Sequence, residues 1–591
     1  MPTEARSRFL PIIWLTAGVL LYWSCGYTEM MGSDLWWHIA GGREVIQTST
    51  VWLRDTWSFT EAGSRWHNHE WLADLVFYGW VQAFGLYTLV YWKWAVVVAT
   101  FLILQRVLFR THGNHAAAFL STALAALIAA PFIDIRPHLY TLLGVSVLLL
   151  VAYRRTPKLW QLLLLFLVWV NLHGGFIFGL MLLGILLLPA CDLWPASRAL
   201  VREQSDEAEK PRSPNQLPWH GSRPGFRTAS IMLLAVLLIC LANPSGIQVF
   251  VLPLTYALDG DSPYRGLGEW ITPFKSGGIV SPMYPYTLVI AASLALAWVL
   301  PFVRRRIPVQ PEALGFTMLT AAMSMTSRRF IVLWAFGFAL LVAPYLAYLL
   351  RQTFVQKLAP AAAVAAVLWG AIRLAPYPVR PDVAFHFLVA EYAFPHAIAD
   401  YIEKNRLSGK VFAYYNWGGF LHWRTDGAMQ VYIDGRANTL FDDETYLTYL
   451  QVLRGRGRWL QKLEATGVDY VIWPRSRGGR KRIRALRGSG RWIRLYRDSR
   501  GELLVRKGVE LPPTMRIPSG TVAAALARTY SYSQDGDMES TLLSATRAHD
   551  LRPWDKDACS WKRRALQLVQ RGQEAEALTA SCEQYFPTSF R

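Results

Sequence analysis

The sequence predicts a polytopic α-helical membrane protein with an extracytoplasmic α/β domain and a short C-terminal helical segment. Three observations predict it. Hydrophobic residues make up 53% of the 591 residues, charged residues only 17%, and the mean hydropathy is +0.21. Soluble domains average about 45–50% apolar and about 25% charged. The apolar excess is concentrated in residues 9–375, in long runs rather than the ~10-residue alternating segments of a membrane barrel. After residue 375 the pattern changes to short strand-like runs alternating with helical ones. These features exclude a plain soluble enzyme, a disordered chain and a disulfide-rich secreted module.

A spanning helix needs ~20 apolar residues. About eleven such segments are predicted, near 9–25, 86–109, 115–133, 138–153, 159–172, 174–190, 228–242, 284–303, 311–326, 329–350 and 357–375. The aromatic segment 70–84 follows a charged loop and reads as a helix lying in the membrane interface. With the N-terminus in the cytoplasm every inner loop is basic, including Arg6 and Arg8, Arg106 and Arg110, Arg154, Arg155 and Lys158, and Arg304 to Arg306. The pieces 26–85, 243–283 and everything after 375 are then outside, which means the periplasm if the membrane is a bacterial inner membrane. The net charge of +20 is largely a matter of this topology and implies no nucleic-acid partner.

Residues 1–375 form the predicted membrane domain, with 26–85 as its first outer loop and 191–227 as a cytoplasmic linker rich in Pro, Ser and charge. Residues 376–510 form the predicted α/β domain, with strands at 411–415, 430–433, 470–473, 492–496 and 503–505, and helices at 395–406 and 443–465. Residues 516–591 read as a helical, tetratricopeptide-like tail. A hairpin over 560–586, turning at Gly572, would bring Cys559 near Cys582, either as a disulfide or as two thiols.

The candidate chemistry lies on one side of the membrane. The inner loops hold basic residues and little else, whereas the outer turns hold almost every other unusual polar group. Ionisable groups at membrane depth are costly and are tolerated mainly in a cavity or for function. Asp34, beside Trp36, Trp37 and His38, suits a general base toward an acceptor hydroxyl, or a plain interfacial acid. His67-Asn68-His69-Glu70 suits contact with a sugar or phosphate. Its alternatives are a divalent-metal set from His67, His69 and Glu70, or helix capping with Asn68 as N-cap. Arg136 (in a turn with Asp134 and His138), Arg328 and Arg329 suit a phosphate, with interfacial snorkelling as the alternative for the last two. Asn171 and His173 flank a Gly-Gly break and could simply be hydrogen-bonded within the membrane. In the α/β domain, Trp417, Asp434 and Arg436 could reach an acceptor, or Asp434 and Arg436 could pair to hold a turn. The stretch 475–500 carries eleven basic residues and one acid, Asp498, which suits anionic lipid headgroups, an acidic glycan or a solvated face.

At these residues the chain resembles the GT-C superfamily of integral-membrane glycosyltransferases. The acid after the first helix looks like their catalytic Asp, and the loop, interfacial helix and second helix follow in similar order. In the branch resembling protein mannosyltransferases and lipid A aminoarabinose transferases a Lys-Pro-Pro-Leu motif precedes the interfacial helix; here His69-Glu70-Trp71-Leu72 stands in its place. A closer set of bacterial membrane proteins in that superfamily shares Asp34 to His38, His69 to Leu72, Arg136-Pro137, Asn171 to Gly175, Asn243-Pro244, Asn416 to Gly419 and Ile433 to Arg436. The resemblance implies inverting transfer of a sugar from a polyprenyl-phosphate or polyprenyl-diphosphate carrier to an extracytoplasmic glycan, lipid or protein acceptor. It implies Asp34 and Glu70 as catalytic carboxylates, and Arg136, Arg328 and Arg329 on the donor phosphate. Trp36, Trp37, His38, His67, His69, His138, Asn171, His173, Glu269, Trp417, Asp434 and Arg436 would contact substrate. No Gly-rich phosphate loop follows a strand, which fits a lipid-linked donor. The alternatives are a non-catalytic binder of lipid-linked sugar and a glycolipid transporter.

Overall fold

A computed structural model describes residues 2–28, 34–153, 157–187, 224–258, 260–276, 279, 281–351, 353–374, 380–390, 393–498, 500–515 and 520–585. The expected linker lies almost wholly outside the described residues. The chain divides into two compact units: a helical unit (1–28, 91–260 and 265–379) and a mixed unit (29–90, 261–264 and 380–591).

Each of the eleven expected segments falls on helix over its described residues, from Pro2–Cys25 to Thr353–Leu374. Among the described residues three stretches are long and apolar enough to cross a membrane: Leu86–His112, His115–Phe132 and Arg328–Leu349. Most of the others are apolar helices of 10–17 residues. Helix Ile331–Leu349 is buried along nearly its whole length and packs on His115–Ala129 and Pro311–Thr326. Close packing rests on small residues. Trp169 is wedged between Gly144 and Gly179, where a Cβ would lie 2.7 Å and 2.6 Å from its ring.

The mixed unit is built on a five-stranded sheet, order β2-β1-β3-β5-β4. Its strands are β1 (Gly409–Ala413), β2 (Met429–Val431), β3 (Tyr470–Pro474), β4 (Trp492–Arg497) and β5 (Gly501–Arg506). β1 pairs in parallel with β2 and β3, while β3–β5 and β4–β5 are antiparallel. Helices Asp443–Arg454 and Trp459–Ala465 lie in the crossover that a parallel β1–β3 pair requires. Each strand falls within two residues of its expected run. Helix Arg477–Gly488, capped by Ser476, falls where no element was expected.

One expected boundary moves. The first outer loop folds with the α/β domain and not with the apolar helices. Its segment 57–60 continues the sheet beyond β2: Val431 N donates to Trp57 O (2.9 Å), and Thr60 Oγ1 donates to Tyr432 O (2.8 Å). Helices Asp34–Thr48 and Trp71–Phe84 pack on each other, and the first also packs on Gly418–Arg424. Asn68 is not the N-cap. Glu70 holds the cap position without a side-chain bond, and Asn68 turns toward Asp74.

The tail forms helices Val522–Asp535, Met538–Leu551, Lys556–Leu568 and Gly572–Glu583. Thr521, Asp537 and Asp555 cap the first three. Cys559 and Cys582 are joined by a disulfide. The last turn is carried by Gln570, in the left-handed region at φ 62°, and Gly572 begins the next helix.

Candidate functional site

In the mixed unit, Asp34 opens helix Asp34–Thr48 and is partly exposed. The N-terminal end of a helix favours a carboxylate. One turn on, on the same face, His38 is buried between two carboxylates. Its Nδ1 lies 2.6 Å from Asp74 Oδ1 and its Nε2 3.8 Å from Glu70 Oε2. Glu70 and Asp74 are themselves one turn apart at the start of Trp71–Phe84. Asn68 Nδ2 donates to the second Asp74 oxygen (2.8 Å), and its Oδ1 accepts from Glu70 N (3.3 Å). His69 Nε2 stands 3.5 Å from Glu70. Gly41 and Gly42 make this approach feasible, since a Cβ would lie 2.6 Å from Asp74 Oδ2 and 2.2 Å from Asp74 O, respectively.

Burial pushes the Asp74 carboxyl up, against the pull of His38 and Asn68. Burial acts to lower His69, but Glu70 outweighs it and holds the imidazole above its ordinary value. Burial, with Arg65, lowers His67. His38 is thus hydrogen-bonded to the buried Asp74 and faces the more exposed Glu70 across 3.8 Å. Asp74 escaped the sequence reading; its signal is the four-residue spacing from Glu70 on one helix face.

Several expected contacts with substrate are used up by the fold. Trp36 is 1% exposed and packs edge-on against Phe385, Phe394 and Phe420. Trp37 stacks on His38 with centroids 3.6 Å apart. A Cβ at Gly435 would lie 2.8 Å from Trp37 and 3.2 Å from Asp34 Oδ1, so this glycine admits the first loop. Trp417 donates from Nε1 to Ala393 O (3.1 Å). Asp434 and Arg436 are 0% and 1% exposed, and their expected contact with an acceptor gives way to the paired turn. Arg436 binds Asp434 through Nε and Nη2 (2.9 and 2.8 Å), lies 2.7 Å from Asp55 through Nη1, and sits over Trp57 at 4.1 Å. Asp55, unmarked in the sequence, thereby ties the first loop to the sheet.

The helical unit carries a second cluster. Arg136 Nη1 lies 3.1 Å from Glu269 Oε2, and Arg329 Nη1 lies 3.4 Å from Oε1. Arg329 also sits over Trp270 at 4.8 Å. Burial acts to raise Glu269, but the two guanidinium groups hold it at about 2. Main-chain bonds from Arg328 N to Ile271 O and from Arg329 N to Glu269 O join the two loops. Arg328 is 0% exposed, which rules out snorkelling for it. Its Nη2 donates to Lys275 O, while Nε and Nη1 are buried without an acceptor among the described residues. Two guanidinium groups, Arg136 and Arg329, thus share the Glu269 carboxylate, and Arg328 meets a carbonyl.

The remaining expected residues of this unit are engaged internally. His138 Nε2 meets Phe132 O at 2.9 Å. Asn171 donates to Leu167 O and accepts from Asn243. His173 Nδ1 accepts from Thr141 Oγ1 (2.7 Å) and Gly175 N (3.0 Å), so Nε2 carries its proton. Lys93 was missed, although it is a single cation in an apolar run. Its ammonium is fully buried without an acceptor among the described residues, and the opposing charge is Asp134.

The expected alternative metal set His67, His69 and Glu70 is not assembled. Among the described residues the one group of three with converging ligand atoms is His549, Cys559 and Cys582, whose sulfurs are already bonded to each other. No family model matches the chain, and no curated protein matches it.

Proposed function

We propose that the protein is a glycosyltransferase of the bacterial inner membrane. It would have about eleven spans, a cytoplasmic N-terminus and its mixed unit in the periplasm, and would take sugar from a polyprenyl-phosphate or polyprenyl-diphosphate carrier. The observation that carries the reading is Arg328. A buried guanidinium with two idle donors costs roughly 1–3 kcal/mol, and more where the charge is uncompensated. An anion that accepts from both removes that cost. Arg136 and Arg329 stand beside the same loop and share Glu269, so the cluster suits a phosphate.

The chemistry divides by residue. Asp34 takes the proton of the acceptor hydroxyl, whose oxygen forms a bond to the anomeric carbon. The bond from that carbon to the carrier phosphate breaks on the opposite face, and the phosphate leaves with the electron pair. The arginine cluster of the helical unit is the proposed place for a lipid phosphate. Glu70 is the second carboxylate, oriented through His38 by the buried Asp74.

The test is turnover in reconstituted membranes. Wild type, Asp34→Asn and Arg328→Met are given radiolabelled polyprenyl-phosphate sugars with an extract of membrane lipid and glycan as acceptor. Transfer by wild type is expected to fall by at least ~100-fold in Asp34→Asn with folding intact. Equal turnover in both removes Asp34 as base. Tight binding of a donor without turnover makes the protein a non-catalytic binder of lipid-linked sugar.

A further inference from the structure

The segment 475–500 is absorbed by none of the chemistry above, and the structure gives it a shape. Helix Arg477–Gly488 lies against β3 and β4. It buries Ile483 and Leu486, three residues apart on one face. Gly479 lets it approach the sheet, since a Cβ there would lie 1.8 Å from Pro474 O. Arg482 is held at the base of the helix, over the Trp473 ring at 5.7 Å and hydrogen-bonded to Val452 O.

The outward face is different. Arg480, Lys481, Arg484 and Arg487 are exposed, as is Arg494 on the edge strand β4. The side chains of these five have no ion-pair or hydrogen-bond partner among the described residues. Neighbouring cations of the same segment do have partners: Arg475 and Arg497 face Glu502, and Arg491 meets Glu464 at 2.7 Å. Carboxylates therefore compensate the base of the segment and leave its outer face bare. Arg480, Arg484 and Arg487 are spaced i, i+4 and i+7, so their like charges repel along one helix face. That repulsion is relieved by an external anion.

We propose that this face docks on a bilayer surface carrying anionic phospholipid headgroups. Charge complementarity selects the partner class. A row of exposed cations with no exposed aromatic ring among them suits a headgroup layer better than a glycan, which rings would stack upon, or a nucleic acid, whose bases would do the same. The same chain carries three helices long and apolar enough to cross a membrane, so a bilayer is a surface available to the chain. Each basic residue near an anionic surface adds about fivefold to partitioning. The effect falls off within a Debye length of about 10 Å at 0.1 M salt. The inference does not depend on the glycosyltransferase reading.

The test uses the full chain in nanodiscs of phosphatidylcholine alone or of phosphatidylcholine mixed with phosphatidylglycerol. Amide hydrogen exchange is followed across 477–494, with β1 and β3 as internal reference. Exchange of 477–494 is expected to slow about tenfold or more in the anionic discs at ~0.1 M salt and to recover near ~1 M. The charge reversal Arg480→Glu/Arg484→Glu/Arg487→Glu should abolish the slowing, and the triple Arg→Lys variant should keep it. Equal exchange in both lipids, or slowing that survives charge reversal, overturns the proposal. An acidic polysaccharide that slows exchange in neutral discs, where phosphatidylglycerol does not, overturns it in favour of a glycan.

Discussion

Arg436 in the mixed unit and Arg328 in the helical unit are both fully buried guanidinium groups, satisfied in opposite ways. Arg436 faces two carboxylates, Asp434 and Asp55, and is stacked over Trp57. Among the described residues Arg328 has one carbonyl partner and two idle donors. The Asp55 carboxylate is in turn held by Ser58 and by Trp57 N, so the first network is closed. The second is open at Arg328 among the described residues. Both positions look alike in the sequence, as arginines in outer turns. Only the account of their partners separates a structural clasp from a place for an anion.

The largest effect should come from the closed network. Arg436→Met leaves Asp434 and Asp55 buried without their cation, which costs roughly 3–5 kcal/mol. Arg436→Lys should also lose much of the clasp, since a lysine cannot reproduce the bidentate fork. Denaturant unfolding followed by tryptophan fluorescence reads both. Wild-type stability in Arg436→Met would break the comparison at its first term.

The open network should respond with the opposite sign. Arg328→Met removes idle buried donors, so stability should hold or rise by up to about 1–3 kcal/mol. The same variant should bind a polyprenyl phosphate at least tenfold more weakly, losing two charge-assisted hydrogen bonds. Thermal unfolding with and without the lipid phosphate separates the two effects. Destabilisation with unchanged affinity would make Arg328 a second clasp and remove the main support for a phosphate site.

The sequence made elements legible where a local pattern carries them. The five strands show as short β-branched and aromatic runs between turn residues, and the tail hairpin as apolar residues at helical spacing. Helix Arg477–Gly488 was invisible because its buried face is only Ile483 and Leu486 within a run of Arg and Gly. The charged residues of the candidate site were also visible, since polarity in outer turns is a compositional signal. Their states were not. The pairing of Asp55 with Arg436 joins segments far apart in the chain, and Asp74 meets His38 only because two helices pack through Gly41 and Gly42. For the same reason the first loop was assigned to the membrane helices. No local pattern records that 57–60 extends the sheet beside β2.

A third charge cluster sharpens the comparison, because its groups share one sign. Asp498 binds Arg500 N and Gly501 N in the β4–β5 turn, and Asp555 caps Lys556–Leu568 with Asp557 beside it. Burial and mutual repulsion, chiefly with Asp557, push Asp498 up to about 7 and Asp555 up to about 6. A carboxyl whose folded pKa exceeds its unfolded value of about 4 binds its proton more tightly when folded. Its contribution is present below about pH 4 and is lost as pH rises through about 6 to 7. The mixed unit should therefore be more stable at pH 5 than at pH 8 by roughly a few kcal/mol, and should melt at a higher temperature there. Asp498→Asn keeps an oxygen for the turn amides and removes the repulsion, so it should raise stability at pH 8 and flatten the profile. A wild-type profile flat between pH 5 and 8 would mean that Arg500 and Arg552, the cations nearest Asp555, already compensate this cluster as fully as Asp434 and Asp55 compensate Arg436.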